Sequence, residues 1–292
     1  NFIDNSTDAS LRGISVGAGT ATGGNAVSVI AADSSAIRSL SGAAAFSSKA
    51  TGGVALSYNS IDNASRARIN GSQLTGVDTL VLNASLDSDI ESAAIALGVG
   101  TSAFGLAGSI TLNEIGMKGN VASAELQDAS VTAAADPAHG SIDVSATDSS
   151  SIASLAGAVG VGKDAGFGAG VADNAIATTV TARVDDSSIH AARRLDIAGS
   201  STAQIESVSV AGAGGSVGGA GSSSTNRIAN KTYADLLDAQ VDGSRADVRV
   251  TAADKASIDS LAGAGAVGGT AAAGLSLAVN LVGGAGHTQT AQ

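Results

Sequence analysis

Four aspartates stand at nearly the same place before a recurring isoleucine, and their carboxylates are the side chains best suited to chemistry. Three stand four residues before that isoleucine and one stands three residues before it. If the strands that carry them stack, like charges ~5 to 10 Å apart would repel unless a cation bridges them. Calcium prefers such oxygen ligands. We interpret these residues as plain exposed turn acids and predict no cofactor, with calcium as the alternative, for which the candidate ligands are Asp33, Asp87, Asp148 and Asp254.

The remaining reactive side chains form no catalytic pattern. Nucleophilic catalysis needs a serine, a histidine and a carboxylate gathered in space, yet His139, His190 and His287 occupy no equivalent positions. The glycine-rich stretches lack the lysine and hydroxyl ending of a phosphate-binding loop. Glycan-processing sites use clustered acids, usually with aromatic platforms, but the chain has no Trp and only two Tyr. We predict no catalytic residue and no enzyme, with a glycan-active or glycan-binding β-helix as the alternative.

Composition excludes two classes of partner. The 292 residues carry a net charge of −11, so the clustered basic residues that nucleic acids and anionic lipids attract are missing. The most apolar runs are rich in glycine and interrupted by charges, unlike a membrane-spanning helix. Hydrophobic residues make up 44% of the chain and aromatic residues only 2%. We therefore expect no nucleic acid, no membrane insertion by this segment, and a core of small and branched aliphatic side chains.

One sequence unit recurs along the whole chain. An isoleucine returns every 53 residues, or 62 in one case, and a serine follows two residues after each copy. About twenty residues later an asparagine stands two residues before a β-branched residue. The units are a partial repeat 1–36, repeats starting near 37, 90, 152 and 205, and a truncated one from 258, in one continuous domain 1–292. The residues expected to stack as ladders are Ile37, Ile90, Ile152, Ile205, Ile258, Ser39, Ser92, Ser154, Ser207, Ser260, Asn59, Asn113, Asn174, Asn226 and Asn280.

The periodicity inside each unit is that of strands. Stretches such as "TLVLNA", "SIDVSA" and "DVRVTA" alternate apolar and polar residues with period 2. Short strands at a fixed repeat predict an all-β solenoid, best a parallel β-helix. Fifty-three residues exceed one ordinary coil, so we expect two or three coils per repeat. We place the asparagines at tight corners, where their amides can also stack. The Gly/Ala tracts are a thin part of the coil, or alternatively linkers.

The stretch "SSIASLAGAVGVG…GAGVADNAI…ARVDDSSIHAARRLDIAG", from Ser150 to Gly199, resembles repeats of giant bacterial adhesins and exoproteins of the filamentous-haemagglutinin-like and leukotoxin-like type. The likeness covers essentially the whole chain. It implies a right-handed parallel β-helix exported through the outer membrane as a type V secretion passenger. It also implies an extracellular or surface location and a role as adhesive shaft, with a host or bacterial receptor or glycan as partner. We expect binding at the enlarged loop Thr132 to Ser141. A self-associating biofilm matrix element is a further alternative.

Overall fold

The computed structural model describes residues 1–17, 25–133, 140–190, 192–242, 247–283 and 288–291. These residues contain no helix, and their strands form one sheet in which every pairing is parallel. The all-β expectation is therefore confirmed. The strands are β1 (Phe2–Arg12), β2 (Ser15–Val16), β3 (Asn25–Ser47), β4 (Thr51–Asn70), β5 (Gln73–Gly100), β6 (Phe104–Gln127), β7 (Ser130–Ala133), β8 (Ser141–Gly162), β9 (Ala165–Asp185), β10 (Ser188–His190), β11 (Arg194–Ile228), β12 (Lys231–Leu237), β13 (Gln240–Asp242), β14 (Asp247–Val282) and β15 (Thr288–Ala291).

The strand register sets the size of each turn of the chain. Ile152 lies between Ile90 and Ile205, so ladder partners are one whole repeat apart. We call the chain between two such partners a tier. The expectation of two or three coils per repeat is wrong, because each repeat makes a single tier. The strands are longer than the sequence suggested: β8 keeps its alternation of buried and less buried residues for 22 residues, through the glycines of its Gly/Ala tract.

Each tier is a flattened loop with two long sides. In the third tier the chain runs out along β8, turns at Lys163 and Asp164, and returns along β9. We call the outgoing strands layer A and the returning strands layer B. Short strands close the loop at the wide end. Layer A contains β3, β5, β8 and the first parts of β11 and β14, and layer B contains β1, β4, β6, β9, β12, β15 and the second parts of β11 and β14.

The wide end of each tier has three sides around an aliphatic core. In the third tier Ile142 comes from layer A, Val184 from layer B and Ile189 from the short strand β10, and all three are essentially inaccessible to water. The alternation of the strands points one branched side chain inward at every second residue. Burial of each such side chain stabilises the fold by ~1.5 to 3 kcal/mol. This end therefore supplies most of the hydrophobic stabilisation.

The corner before each short strand is made by aspartate or glycine. Gly13 and Gly71 have φ of 60° there, and Asp128, Asp186 and Asp238 take φ between 44° and 50° at the same corner of later tiers. The expectation of asparagine at the corners is therefore wrong. The recurring asparagines lie inside strands, because their amides have partners within the fold.

The opposite end of each tier is thin because the facing backbones almost touch. A Cβ added to Gly160 would strike the carbonyl of Phe167, and one added to Gly98 would strike the carbonyl of Leu106. Only small side chains fit beside them, such as Ala96 and Ala158. The Gly/Ala tracts are thus paired strands in a thin part of the tier, and the linker alternative is wrong.

Candidate functional site

A row of asparagine side chains runs through the interior from the first tier to the last. Each side-chain amide donates from Nδ2 to Oδ1 of the asparagine in the next tier, with N–O distances of 2.7 to 2.9 Å. Four of the six are 0 to 1% exposed. Amides that stack in this way polarise one another in a low-dielectric interior. The members of this amide ladder are Asn1, Asn59, Asn113, Asn174, Asn226 and Asn280.

Serines from layer A cross-link this ladder to the other side of the tier. Ser39 lies 2.7 Å from the hydroxyl of Ser57 and accepts from Asn59 at 3.0 Å. In a later tier Ser154 donates to Ser207 at 3.1 Å and accepts from Asn174 at 2.9 Å. The recurring serine therefore joins the two layers, which explains its position two residues after the isoleucine and on the same face.

The recurring isoleucines form a dry layer beside the ladder. Ile152 of layer A packs with Ile176 of layer B, and both are at most 1% exposed. The β-branched residue that follows each asparagine by two positions supplies the layer B half of this contact. Both halves of the sequence pattern therefore meet inside one tier. The isoleucine layer keeps water from the amide ladder on this side.

A second polar layer lies on the other side of the isoleucines, and our reading of the sequence missed it. Asn63 donates its backbone N–H to Oδ1 of Asn120 at 2.9 Å, Asn120 donates to Thr178 at 3.1 Å, and the backbone of Thr178 donates to Asn230 at 3.0 Å. A signal existed, because this residue usually follows the ladder asparagine by four positions. In one tier the four residues "GMKG" at 116–119 replace a single residue, which lengthens that spacing to seven.

Among the four candidate calcium ligands, Asp148 alone is fully buried in this second layer, so the interpretation as an exposed turn acid is wrong for this residue. Its carboxylate accepts from Ser150 at 2.8 Å and from Ser201 at 3.2 Å. Burial raises its pKa to about 7, against a lowering by those hydroxyls, and the nearby charge of Asp254 adds to the rise. Asp148 is thus an interior hydrogen-bonding group.

The four candidate calcium ligands do not lie close together in the structure. Asp33, Asp148 and Asp254 share one column, but Leu86 and Ser201 occupy the tiers between them. Asp33 accepts instead from Ser35 and from Asn63. Asp87 is exposed, one position out of register. In the part of the chain that the structure describes, these four aspartates form no shared ligand set.

Among the described residues, three carboxylates close enough for one ion occur only at the corner of Asp185, Asp186 and Asp238. Their oxygens lie within 4.8 Å of one another. The charge of Asp185 is the main cause that raises the pKa of Asp186. Arg183 neutralises part of the cluster, with a nitrogen 3.7 Å from Asp185. Asp185 and Asp186 are adjacent in the sequence, but Asp238 comes from the next tier, so the sequence alone gives no sign of their approach.

No catalytic arrangement is assembled by the described residues that the sequence analysis considered. His190 lies 3.2 Å from Asp242 at the half-exposed edge of the wide end, while His139 and His287 fall outside the described residues. Tyr58 donates to Glu114 and Tyr233 lies three tiers away in β12. The two tyrosines therefore form no shared platform for a sugar ring.

Comparison with known proteins gives no relative: no family model, no curated protein and no solved structure matches the chain. The described residues include no helix with the length and hydrophobicity of a membrane span.

Proposed function

We propose that this chain is a structural shaft segment of a large bacterial surface or secreted adhesin, built as one right-handed parallel β-helix. The observation that carries the proposal is the amide ladder, which joins six asparagines without a break, from Asn1 through all five tiers to Asn280. A shaft must resist bending and pulling along its axis. A continuous interior row of hydrogen bonds parallel to that axis supplies this resistance in addition to the backbone ladders.

The resemblance of the repeats supports the location and partners in this proposal. The segment lies outside the cell, exported through the outer membrane as a type V secretion passenger, and projects a binding region toward a host or bacterial receptor or glycan. Binding by this segment itself is assigned to the enlarged loop between Thr132 and Ser141, of which residues 134–139 lie outside the described part. The proposed action is mechanical, and no reaction is assigned.

Single-molecule force spectroscopy on the chain tests the shaft role. Pulled from its two ends, a shaft releases one tier at a time. A tier of 53 residues adds about 190 Å of extended chain at ~3.6 Å per residue. We expect a series of such steps at similar force. Loss of the whole fold in one step would contradict the proposal, because independent resistance of each tier is what a shaft requires.

The Asn174→Ala variant sharpens this test. It interrupts the ladder between Asn113 and Asn226, so the steps of the middle tiers should occur at lower force while the others stay unchanged. The matched variant Asn83→Ala, which removes a half-buried amide on the outer surface, should leave every step as in the native chain. Equal effects of the two variants would remove the ladder from the mechanism.

A further inference from the structure

The outer surface of layer A is entirely apolar along the thin end. Beyond the recurring serine, every outward position of the layer A strands is Gly, Ala, Val, Leu, Ile or Phe in all five tiers. No polar side chain interrupts the patch. We call it the apolar face, and its residues are Leu40, Gly42, Ala44, Phe46, Ala93, Ile95, Leu97, Val99, Leu155, Gly157, Val159, Val161, Val208, Val210, Gly212, Gly214, Leu261, Gly263, Gly265 and Val267.

The border of this face is abrupt. On β11 the outward residues Thr202, Gln204 and Glu206 are polar, and the next outward residues, Val208 and Val210, are aliphatic. The register aligns the same change in three other tiers, after Arg38, Glu91 and Asp259, whereas in the third tier Ala153 stands at that column and the change comes one outward position earlier, after Ser151. The outer surface of the wide end is thus mainly polar, as a solvated sheet normally is, with Ile30, Ala32 and Ala36 of β3 as exceptions, and the thin end is apolar.

The fold itself does not require this surface. Along the same strands the inward residues are small, as with Ala211 and Ala213, and the larger aliphatic side chains point to solvent. Leu40 is 80% exposed and Val267 is 75% exposed. Large contiguous apolar patches on soluble proteins mark interaction surfaces. The larger residues are therefore on the side where a partner, and not the core, would cover them.

One column of the face has an alternating relief that fits a second copy of itself. In one column Gly42, Gly157 and Gly263 alternate along the stacking axis with Ile95 and Val210. The methyl groups of Val210 lie within 3.9 Å of the Cβ positions at Gly157 and Gly263. In this one of the four columns, ridges and depressions therefore repeat every two tiers. A copy displaced by one tier places its ridges over these depressions.

We infer that the apolar face binds the apolar face of a second copy of this chain. Five tiers at ~4.8 Å and four outward positions at ~6.6 Å give a face of about 600 Å². Two such faces bury about 1,200 Å², the lower end of stable protein interfaces. The ion pair of Arg38 with Glu91, at 3.0 Å, lies on the border as part of a polar rim. The inference does not depend on the proposed shaft role.

Two other surfaces fit the observations less well. A bilayer is disfavoured by the net charge of −11 and by the charged tip at Lys163 and Asp164, which edge-on insertion would bury in hydrocarbon. The outer surface of layer B is apolar in part, but Asp173, Thr225 and Ser223 interrupt it. The apolar face of layer A has no such polar interruptions.

Sedimentation velocity across a concentration series tests the inference with charge-matched variants. The test variant, V159K/V210K, adds two lysines in the middle of the apolar face. The control, S149K/T202K, adds two lysines to the same two strands on the polar outer surface, where both residues are exposed. We expect dimers for the native chain and the control. The test variant should associate at least about tenfold more weakly, because it buries unpaired charges at the interface centre. Circular dichroism must be the same for all three.

Three outcomes would overturn the inference. A native chain that stays monomeric at every concentration would refute it. If V159K/V210K associates as strongly as the native chain, the contact is made by the exposed edges of the first and last tiers instead. A native chain that stays monomeric and co-sediments with phosphatidylcholine vesicles, while V159K/V210K does not, would mean that the face binds lipid.

Discussion

Asn174 lies in the middle of the amide ladder, and its side chain contacts four others. It donates to Ser154, Ser207 and Asn226 and accepts from Asn113 at 2.7 Å. Water cannot replace these hydrogen-bond partners, because the isoleucine layer excludes it on one side and the alanines exclude it on the other. Its removal leaves several buried partners unsatisfied.

The Asn174→Ala variant should lose about 1 to 3 kcal/mol of unfolding free energy, the cost of buried polar groups left without partners. Equilibrium urea unfolding measures this. The control is Asn83→Ala, where one half-buried amide loses a bond of 3.0 Å to Ser145 and the change should stay below about 0.5 kcal/mol. Similar losses in both variants would mean that the ladder adds no special stability.

Asp148 predicts a pH dependence of stability. Its folded pKa of about 7 lies above the ordinary 3.8 because the carboxyl is buried. The folded state therefore binds the proton more tightly than the unfolded state. Stability from this group is fully present below pH ~4 and is lost as the pH rises to ~7, by on the order of 1 kcal/mol per pH unit.

The Asp148→Asn variant should flatten this part of the curve of unfolding free energy against pH, because an amide does not titrate. Denaturant unfolding between pH 4 and 8 gives the curve. The matched variant Asp87→Asn removes an exposed carboxylate and is the control for the loss of one negative charge. A slope that survives in Asp148→Asn would assign the dependence to other groups.

The ladder residues were readable from the sequence because an exact spacing of identical polar residues has few other causes. Their location was not readable. Asparagine tolerates the left-handed conformation, so the corner was a sound expectation, yet the corners carry Asp186 and its equivalents. Whether an amide lies at a corner or in the core depends on which partners the facing layer offers. That facing residue comes from about twenty positions along the chain.

At the scale of the strands, the facing pair β8 and β9 shows why glycine recurs at the thin end. A Cβ at Gly160 would meet the backbone carbonyl of Phe167, which cannot move aside as a side chain could. The layers would have to separate. Gly42, on the outer surface of layer A, has nothing within 4 Å of its Cβ position.

The Gly160→Ala variant should therefore lose about 1 to 3 kcal/mol, as an overpacked site does. Gly42→Ala should be neutral or slightly stabilising, because alanine restricts the unfolded chain. Thermal unfolding of the two variants side by side separates this packing effect from the loss of glycine flexibility. A neutral Gly160→Ala would mean that the layers are not in close contact at the tip.

The whole molecule should be a flat plate and not a tall rod. A layer A strand of 22 residues is about 70 Å long at ~3.3 Å per residue. The stack of tiers is only about 25 to 30 Å tall at ~4.8 Å per tier. Small-angle scattering should give a maximum dimension near 70 Å. The V159K/V210K variant removes self-association from the measurement. A globule of this length, with a radius of gyration near ~19 Å, would contradict the plate.

Strand type and repeat spacing are local properties of the chain, so the sequence was sufficient to predict an all-β fold and the positions that align. The path of the chain through each tier depends on contacts between residues that are distant in the sequence. It depends on the contact of β8 with β9, where missing Cβ atoms at Gly160 and its equivalents let two strands lie flat together and postpone the turn. The apolar face arises from the same contact. With no room inside for larger residues, the strand alternation leaves every valine and leucine of the thin end on the outside.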